Sequence, residues 1–157
     1  MPKAGIQFSK KDEWYTPKEV VDFFGPFDYD PATTDEQAAR LGIKDYDTIE
    51  TDGLKSNWAL YRKIWVNPPF TRKFEFLEKA VRSGSHVFFL LPIETLTTKR
   101  FNEICNGGGY IMWVPNGRIK FEDGKNAPSS PAFGSVVIEF DNGKSGIRSW
   151  RLYGKDS

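Results

Sequence analysis

The sequence predicts an α/β fold with an open, mostly parallel sheet and antiparallel strands at its C-terminal edge. Up to residue 105, short helix-forming segments alternate with apolar strand-forming segments, and beyond residue 110 strand patterns follow one another between Gly, Asn and Pro turns. Helices alternating with buried strands are typical of parallel sheets, whereas consecutive strands form antiparallel pairs. The 157 residues suit one domain over 1–157, in which the polar, Lys-rich segment 1–13 is expected to be a flexible arm.

The first helix is predicted over residues 17–24. Thr16 can cap this helix, and Glu19, three residues later, completes a capping box. Pro17 fits the first helical position, where its missing N–H does no harm, and Gly25 can end the helix.

A brief strand, "FDYD", comes next and ends at the Asp30-Pro31 turn. The segment "TTDEQAARLG" then predicts a second short helix that Gly42 could end. A short strand over residues 47–50 and a turn at Asp52 complete this part of the chain.

The stretch "KIWVNPPF" predicts a strand over residues 63–66 that is stopped by two prolines. Pro68 and Pro69 cannot donate to a sheet ladder, so the strand must end before them. Apolar residues at helical spacing then predict a helix over 72–83, and "HVFFLLP" reads as a fully buried strand ending at Pro92.

The remaining elements are a third helix and a run of strands. The helix, "TKRFNEIC", is expected to close at the glycines of residues 107–109. The strands are predicted at "YIMWV", "GRIKF", "SVVIEF" and "RSWRLY".

Composition excludes several classes of protein. The single Cys105 and single His86 leave no material for a disulfide framework or a His/Cys zinc cluster, so we expect no metal site and no thiol chemistry. No apolar run approaches the roughly 20 residues that span a membrane, and the start lacks the apolar core of a signal peptide, so a cytoplasmic protein is expected. The net charge is only +1, so any nucleic-acid contact must come from local clusters of basic residues.

Three polar residues follow predicted strands, at the edge of the sheet where α/β proteins bind ligands. They are Asp30 after "FDYD", Asp52 after "DTIET" and Asn67 after "KIWV". Each of them can also be a simple turn former. The conjunction with Pro68, Pro69 and an aromatic Phe70 is more specific, because proline makes up only about 5% of average sequence.

These motifs resemble those of the compact phage-type DNA adenine-N6 methyltransferases over roughly residues 14–140. The resemblance implies a Rossmann-like fold, S-adenosylmethionine as cofactor, DNA as substrate and a phage or prophage origin. It rests on the order of the motifs "WYTP", "FDYDPAT", "DGLKSNW", "WVNPPF", "LLPIETLT", "GRIKF" and "PAFGSVVIEF".

The resemblance also implies roles for individual residues. Asn67, Pro68, Pro69 and Phe70 match the catalytic Asn-Pro-Pro-aromatic motif. Cofactor contacts are implied for the "YTP" residues, which can equally serve only as a helix cap, and for the residues of the two acidic turns. The cofactor set is Tyr15, Thr16, Pro17, Asp30, Pro31, Ala32 and Asp52.

The chemistry of methylating an adenine amine explains the motif. The lone pair of the amine is drawn into the ring, so it must be localised before it can attack a methyl group. The Asn67 and Pro68 carbonyls, held by rigid prolines, can accept its two N–H groups. The base must leave the duplex, and Phe70 can stack on it, unless Phe70 is merely buried on a structural turn.

Basic residues on predicted loops and helix ends are the candidate DNA contacts. Arg118 and Lys120 are favoured, and the loop 122–132 beside them is the expected reader of sequence. The alternative is that these side chains are only solvated. The other candidates are Arg72, Lys99 and Arg100.

Two other functions fit the same residues. The Asn-Pro-Pro-aromatic chemistry also suits the amide of a protein glutamine, although the chain has no room for an added substrate-recruiting region. A non-catalytic DNA-binding phage accessory protein that kept the fold is favoured by the absence of a Gly-rich loop after Asp30.

Overall fold

The computed structural model describes residues 15–122, 128–129 and 134–153. The predicted arm over 1–13 and most of the loop 122–132 lie outside the described residues. In the described ranges, no helix combines the length and the apolar character needed to cross a membrane.

Four α-helices lie in the described part of the chain, together with short 3₁₀ turns. The helices are α1 (Lys18–Phe24), α2 (Asp35–Leu41), α3 (Lys73–Ser83) and α4 (Lys99–Cys105). The 3₁₀ turns are Gly53–Lys55, Trp58–Leu60, Phe70–Arg72 and Ile93–Thr97.

The sheet of the described residues has five strands in the order β1-β2-β6-β3-β7, and β4 and β5 form a separate two-stranded ribbon. The strands are β1 (Ile64–Val66), β2 (Val87–Pro92), β3 (Ile111–Pro115), β4 (Phe121–Glu122), β5 (Pro128–Ser129), β6 (Ser135–Phe140) and β7 (Gly146–Trp150).

The predicted α/β class is confirmed, and the position of the antiparallel strand differs in detail from the prediction. Strand β1 pairs in parallel with β2, and β3 pairs in parallel with β7 at the far edge. Strand β6 alone runs the other way, and it lies between β2 and β3 rather than at the edge. All residues of β6 are buried, which fits a strand inside the sheet.

Beyond β1 the sheet is extended by two single bridges. Tyr29 pairs in parallel with Ile64, so the predicted strand "FDYD" contributes one bridge there. Asp30 pairs in parallel with Tyr46. The predicted strand over 47–50 is wrong, because the Thr51 hydroxyl accepts from the Thr48 backbone N–H at 2.8 Å and turns the chain locally.

The helix ends show which caps were predicted correctly. The Thr34 hydroxyl caps α2 by accepting from the Gln37 N–H at 3.1 Å, and Gly42 ends it in the left-handed region at φ 76°, as expected. After α4, however, Asn106 takes the left-handed conformation at φ 44°, ahead of the glycines predicted to close the helix.

The predicted cap of α1 is wrong. The helix begins at Lys18, and the residue before it, Pro17, has an extended backbone. Among the described residues, no side chain caps the N–H groups of the first turn. The Thr16 hydroxyl instead accepts from the Asn67 side chain, so the capping box with Glu19 does not form.

Two hydrophobic clusters cover the two faces of the sheet. In β1, Ile64 and Val66 pack into one cluster and Trp65 into the other, as the alternation of a strand requires. Helices α3 and α4 bury their apolar residues in the first cluster, and α1 and α2 in the second. The result is a sheet sandwiched between helices.

Replacing Leu77 with Ala should lower the free energy of unfolding by about 2–5 kcal/mol, because a fully buried side chain leaves a cavity. Val81 lies on the same helix and is exposed, so Val81→Ala is the matched control and should change stability little. Urea unfolding of both variants measures the difference. Equal losses in the two variants would contradict the assigned orientation of α3.

Candidate active site

The Asn-Pro-Pro-Phe turn continues directly from the buried strand β1. Pro68 and Pro69 are buried, and Pro69 is extended at φ −61° and ψ 138° before the 3₁₀ turn begins at Phe70. Asn67 is half-buried, and its Nδ2 donates to the Thr16 hydroxyl at 2.7 Å. The turn predicted from the sequence is therefore present, at the carboxyl end of a strand.

Phe70 is half-buried, so part of its ring remains accessible. The ammonium of Lys73 lies 5.8 Å from the ring centroid. This exposure agrees better with a stacking surface than with a ring sealed into the core.

The segment that precedes α1 is fastened to α2. The Tyr15 hydroxyl donates to Glu36 Oε1 at 2.9 Å, and the Arg40 guanidinium lies over the Tyr15 ring at 5.6 Å. Arg40 also donates to the backbone carbonyl of Thr16, which is itself buried. Through Thr16, this segment reaches Asn67, 51 residues further along the chain.

The carboxyl group of Asp30 is buried at the end of its bridge. Its Oδ1 accepts from the Ala32 N–H at 2.9 Å, which forms the tight turn through Pro31. Burial raises the pKa of Asp30 to about 7, although the hydrogen bond from Ala32 acts in the opposite direction. A cation placed beside this group would favour its ionised form.

Asp52 and Gly53 form a second turn, which packs against the turn at Asp30 and Pro31. Asp52 has a left-handed backbone at φ 61°, and its side chain accepts from the Leu54 N–H at 3.1 Å. A Cβ on Gly53 would lie 2.0 Å from the Pro31 carbonyl oxygen, so only glycine fits here. This close approach brings the two predicted acidic turns into contact.

The two turns line a small cleft that is open to solvent. The cleft unites three of the predicted cofactor residues, Pro31, Ala32 and Asp52, and it adds Arg72, which the sequence assigned to DNA. The sequence missed the other lining residues, which are Thr33, Thr48, Ile49, Gly53 and Phe76.

The five candidate DNA contacts lie in three places. Arg72 bonds Glu75 at 2.5 Å in the cleft wall. On the outer face of α3 and α4, Lys99 lies 3.8 Å from Glu103 and Arg100 lies 3.2 Å from Glu78. Arg118 and Lys120 are exposed on either side of the buried Ile119, and Lys120 lies 5.8 Å from the centroid of the Tyr153 ring.

Two other groups of potentially reactive side chains lie outside the cleft. His86 Nε2 is 2.7 Å from Glu139 Oε2 and 4.0 Å from Asp141 Oδ2, at the start of β2 and therefore at the opposite end of the sheet from Asn67. Burial raises the pKa of the Cys105 thiol to about 11, which disfavours the nucleophilic thiolate.

This combination of a mixed sheet, in which four of the five strands run the same way, with a rigid, strand-end Asn-Pro-Pro-Phe turn defines the Rossmann-like methyltransferase class. The model of the DNA N-6-adenine-methyltransferase (Dam) family matches residues 3–150. The chain belongs to this family.

Known proteins similar to the chain include a phage enzyme and a solved bacterial structure. The DNA N-6-adenine-methyltransferase of Escherichia phage T1 is 30% identical over 111 residues, which are 66% of this chain and 45% of that protein. The chain thus spans about half the length of that relative. A crystal structure from Listeria monocytogenes, assigned to the class I S-adenosylmethionine-dependent methyltransferases, aligns with a TM-score of 0.40 at 15% identity, covering 76% of this chain and 46% of that one.

The raised pKa of Asp30 gives stability a defined pH dependence. The pKa of Asp30 in the folded chain, about 7, exceeds the ordinary value of 3.8. Its contribution to the free energy of unfolding is therefore present below about pH 4 and is lost as the pH rises to about 7. The Asp30→Asn variant should not show this loss. The free energy of unfolding of the variant, minus that of the unmodified chain, should therefore rise by up to about 4 kcal/mol between about pH 4 and pH 7.

Denaturant unfolding at several pH values between 4 and 8 measures the effect. The exposed Asp22 is the matched control, because Asp22→Asn removes the same charge at the surface and should change the free energy of unfolding by at most about 1 kcal/mol. A flat difference for Asp30→Asn would mean that the carboxyl is not buried as described.

Proposed function

We propose that this chain transfers a methyl group from S-adenosylmethionine to the N6 amine of adenine in DNA. The observation that carries the proposal is the Asn67 amide, fixed at the end of a buried strand by two buried prolines and by Thr16. Membership of the Dam family supports the same reaction. The phage T1 relative supports a phage or prophage origin.

The cleft residue Asp52 and the buried Asp30, which lies outside the cleft lining, suit the cofactor. S-adenosylmethionine is a cationic molecule that carries a purine, and its sulfonium supplies an electrophilic methyl group when bound. A positively charged partner such as an amino group would stabilise the ionised form of the buried Asp30 carboxyl. Asp52 can accept a hydrogen bond from the adenosine amine. Pro31 and Ala32 line the cleft beside them.

The catalytic work falls to the acceptors of the turn. The hydrogen bond to Thr16 uses an N–H of the Asn67 amide and leaves Oδ1 to accept from an incoming base. Oδ1 and the Pro68 carbonyl can then accept the two N–H groups of the adenine amine, which directs its lone pair at the methyl carbon. Because acceptors fixed in advance need no reorganisation, they stabilise the transition state more than the free substrate.

A strong general base is not required in this scheme. Bound S-adenosylmethionine would supply the methyl group: the amine nitrogen would gain the bond to the methyl carbon as the carbon–sulfur bond is lost, which would leave a neutral thioether. The methylated nitrogen then carries the positive charge and readily releases one proton. Asn67 needs only to accept a hydrogen bond throughout, which suits an amide.

The substrate must present its base outside the double helix, because a stacked adenine cannot reach Asn67. Phe70 supplies an accessible ring for the extruded base. The proposed phosphate and base contacts are Arg72, Lys99, Arg100, Arg118 and Lys120.

The test of the function is the modification of DNA. DNA from cells that express the chain should contain N6-methyladenine and no 4-methylcytosine, and the purified chain should bind S-adenosylmethionine by calorimetry. Asn67→Ala removes an acceptor needed in the transition state, so its methylation rate should fall about 10²–10³-fold with cofactor affinity nearly unchanged.

Asn57 is the matched control for this experiment. It is an exposed asparagine whose side chain only caps a 3₁₀ turn, so Asn57→Ala should keep the methylation rate. Full activity in Asn67→Ala would refute the mechanism. An unmodified chain that binds DNA but no cofactor would favour a non-catalytic DNA-binding protein.

Substitutions of Phe70 test base extrusion. Phe70→Leu keeps an apolar side chain but loses the aromatic face, so binding of an extruded base should weaken by about 1–3 kcal/mol. Phe70→Tyr should be tolerated because the stacking face remains. The readout is the fluorescence of 2-aminopurine at the target position, which rises when the base leaves the stack; a dark, stacked base in a complex that still methylates would exclude extrusion.

A further inference from the structure

Thr16 makes a contact that neither the fold nor its place before α1 requires. Its side chain is buried, with 3% of its surface exposed, and its hydroxyl accepts from Asn67 Nδ2 at 2.7 Å. A threonine just before a helix would ordinarily use this oxygen to satisfy the N–H groups of the first turn. Here the oxygen reaches a side chain 51 residues away.

The position of Thr16 is itself fixed by α2. Arg40 donates to the Thr16 carbonyl and, at 2.8 Å, to Gln37 Oε1 on the same helix. The backbone N–H of Gln37 donates in turn to the Thr34 hydroxyl, which caps α2. A continuous chain of hydrogen bonds therefore runs from α2 through Thr16 to Asn67.

The orientation of an asparagine amide is a real choice. The terminal torsion is broad and roughly two-fold, so a half-turn exchanges the oxygen and the nitrogen at little intrinsic cost. In one orientation Asn67 offers an acceptor to an incoming amine, and in the other it offers N–H groups that cannot accept from that amine. In the structure Nδ2 donates to Thr16, so the Thr16 hydroxyl acts as the acceptor and Oδ1 is left to accept from the amine.

We propose that Thr16 is the positioning residue that holds the Asn67 amide with its oxygen facing the substrate. This inference rests on the proposed function. In it Thr16 acts through Asn67 alone, by accepting from Nδ2, and touches neither base nor cofactor. It differs from the role of cofactor ligand that the "YTP" resemblance implied.

The test compares Thr16→Val, which keeps the shape but removes the hydroxyl, with Thr16→Ser, which restores the acceptor. The single-turnover methylation rate at saturating S-adenosylmethionine and DNA should fall at least tenfold in Thr16→Val and recover to within threefold in Thr16→Ser. The dissociation constant for S-adenosylmethionine should stay within twofold in both variants. A tenfold change in rate corresponds to about 1.4 kcal/mol in the activation barrier, which lies within the range for a single hydrogen bond.

A double-mutant cycle assigns the effect to Asn67. In an Asn67→Ala background, Thr16→Val should cause no further loss of rate, because the residue through which Thr16 acts is gone. A loss that persists in this background would overturn the proposal. A weakened cofactor affinity with an unchanged saturated rate would also overturn it and make Thr16 a cofactor ligand.

The hydrogen bond between Asn67 and Thr16 can also be tested without measuring methylation, by hydrogen exchange of the Asn67 side chain. The Asn67 side-chain NH₂ signals, identified by their disappearance in Asn67→Ala, should exchange with solvent more slowly in the unmodified chain and in Thr16→Ser than in Thr16→Ala. Equal exchange would mean that the hydrogen bond does not exist. If the unmodified chain methylates no DNA, the proposed function fails, while this measurement still decides on the contact. Thr16→Ala replaces Thr16→Val in all assays if the valine variant does not fold.

Discussion

The complete burial of β1 is the constraint on which the site depends. Ile64, Trp65 and Val66 have no exposed surface, because the two hydrophobic clusters cover opposite faces of this one short strand. A strand packed on both faces cannot shift its register by one residue without exchanging its side chains between the clusters. The Asn-Pro-Pro turn therefore starts from a fixed point, and its prolines extend that rigidity to the Asn67 amide.

The backbones of the two turns at the cleft come into close contact, and the glycine that permits this contact lies on the second turn rather than directly after Asp30. Dinucleotide-binding folds place glycines directly after the first strand, where the backbone must come close to a ligand. Here that turn carries Pro31 and Ala32, and the glycine lies on the opposite turn, where Gly53 abuts the Pro31 carbonyl. The absence of a Gly-rich loop is thus compatible with close packing of the two turns.

Local chemistry was predictable from the sequence, and long-range pairing was not. The Asn-Pro-Pro-Phe turn and the buried strand β2 follow from proline geometry and an unbroken apolar run, so both predictions hold. The contact of Thr16 was missed because its partner, Asn67, lies 51 residues further along the chain. The turn from Thr48 to Thr51 was missed although it is local. Threonine suits caps, strands and turns alike, so local pattern could not choose. The predicted arm, the single-domain assignment and the DNA contacts stay predictions.

The position of β6 has a consequence for biosynthesis. This strand fills the middle of the sheet, yet residues 135–140 leave the ribosome after β2 and β3 have both been made. Until then, β2 exposes an unpaired edge along a strand of Val, Phe and Leu residues. Such edges are templates for pairing with other chains. The nascent polypeptide is therefore most vulnerable to aggregation just before β6 emerges, and a chaperone that shields β2 during this interval would raise its folding yield.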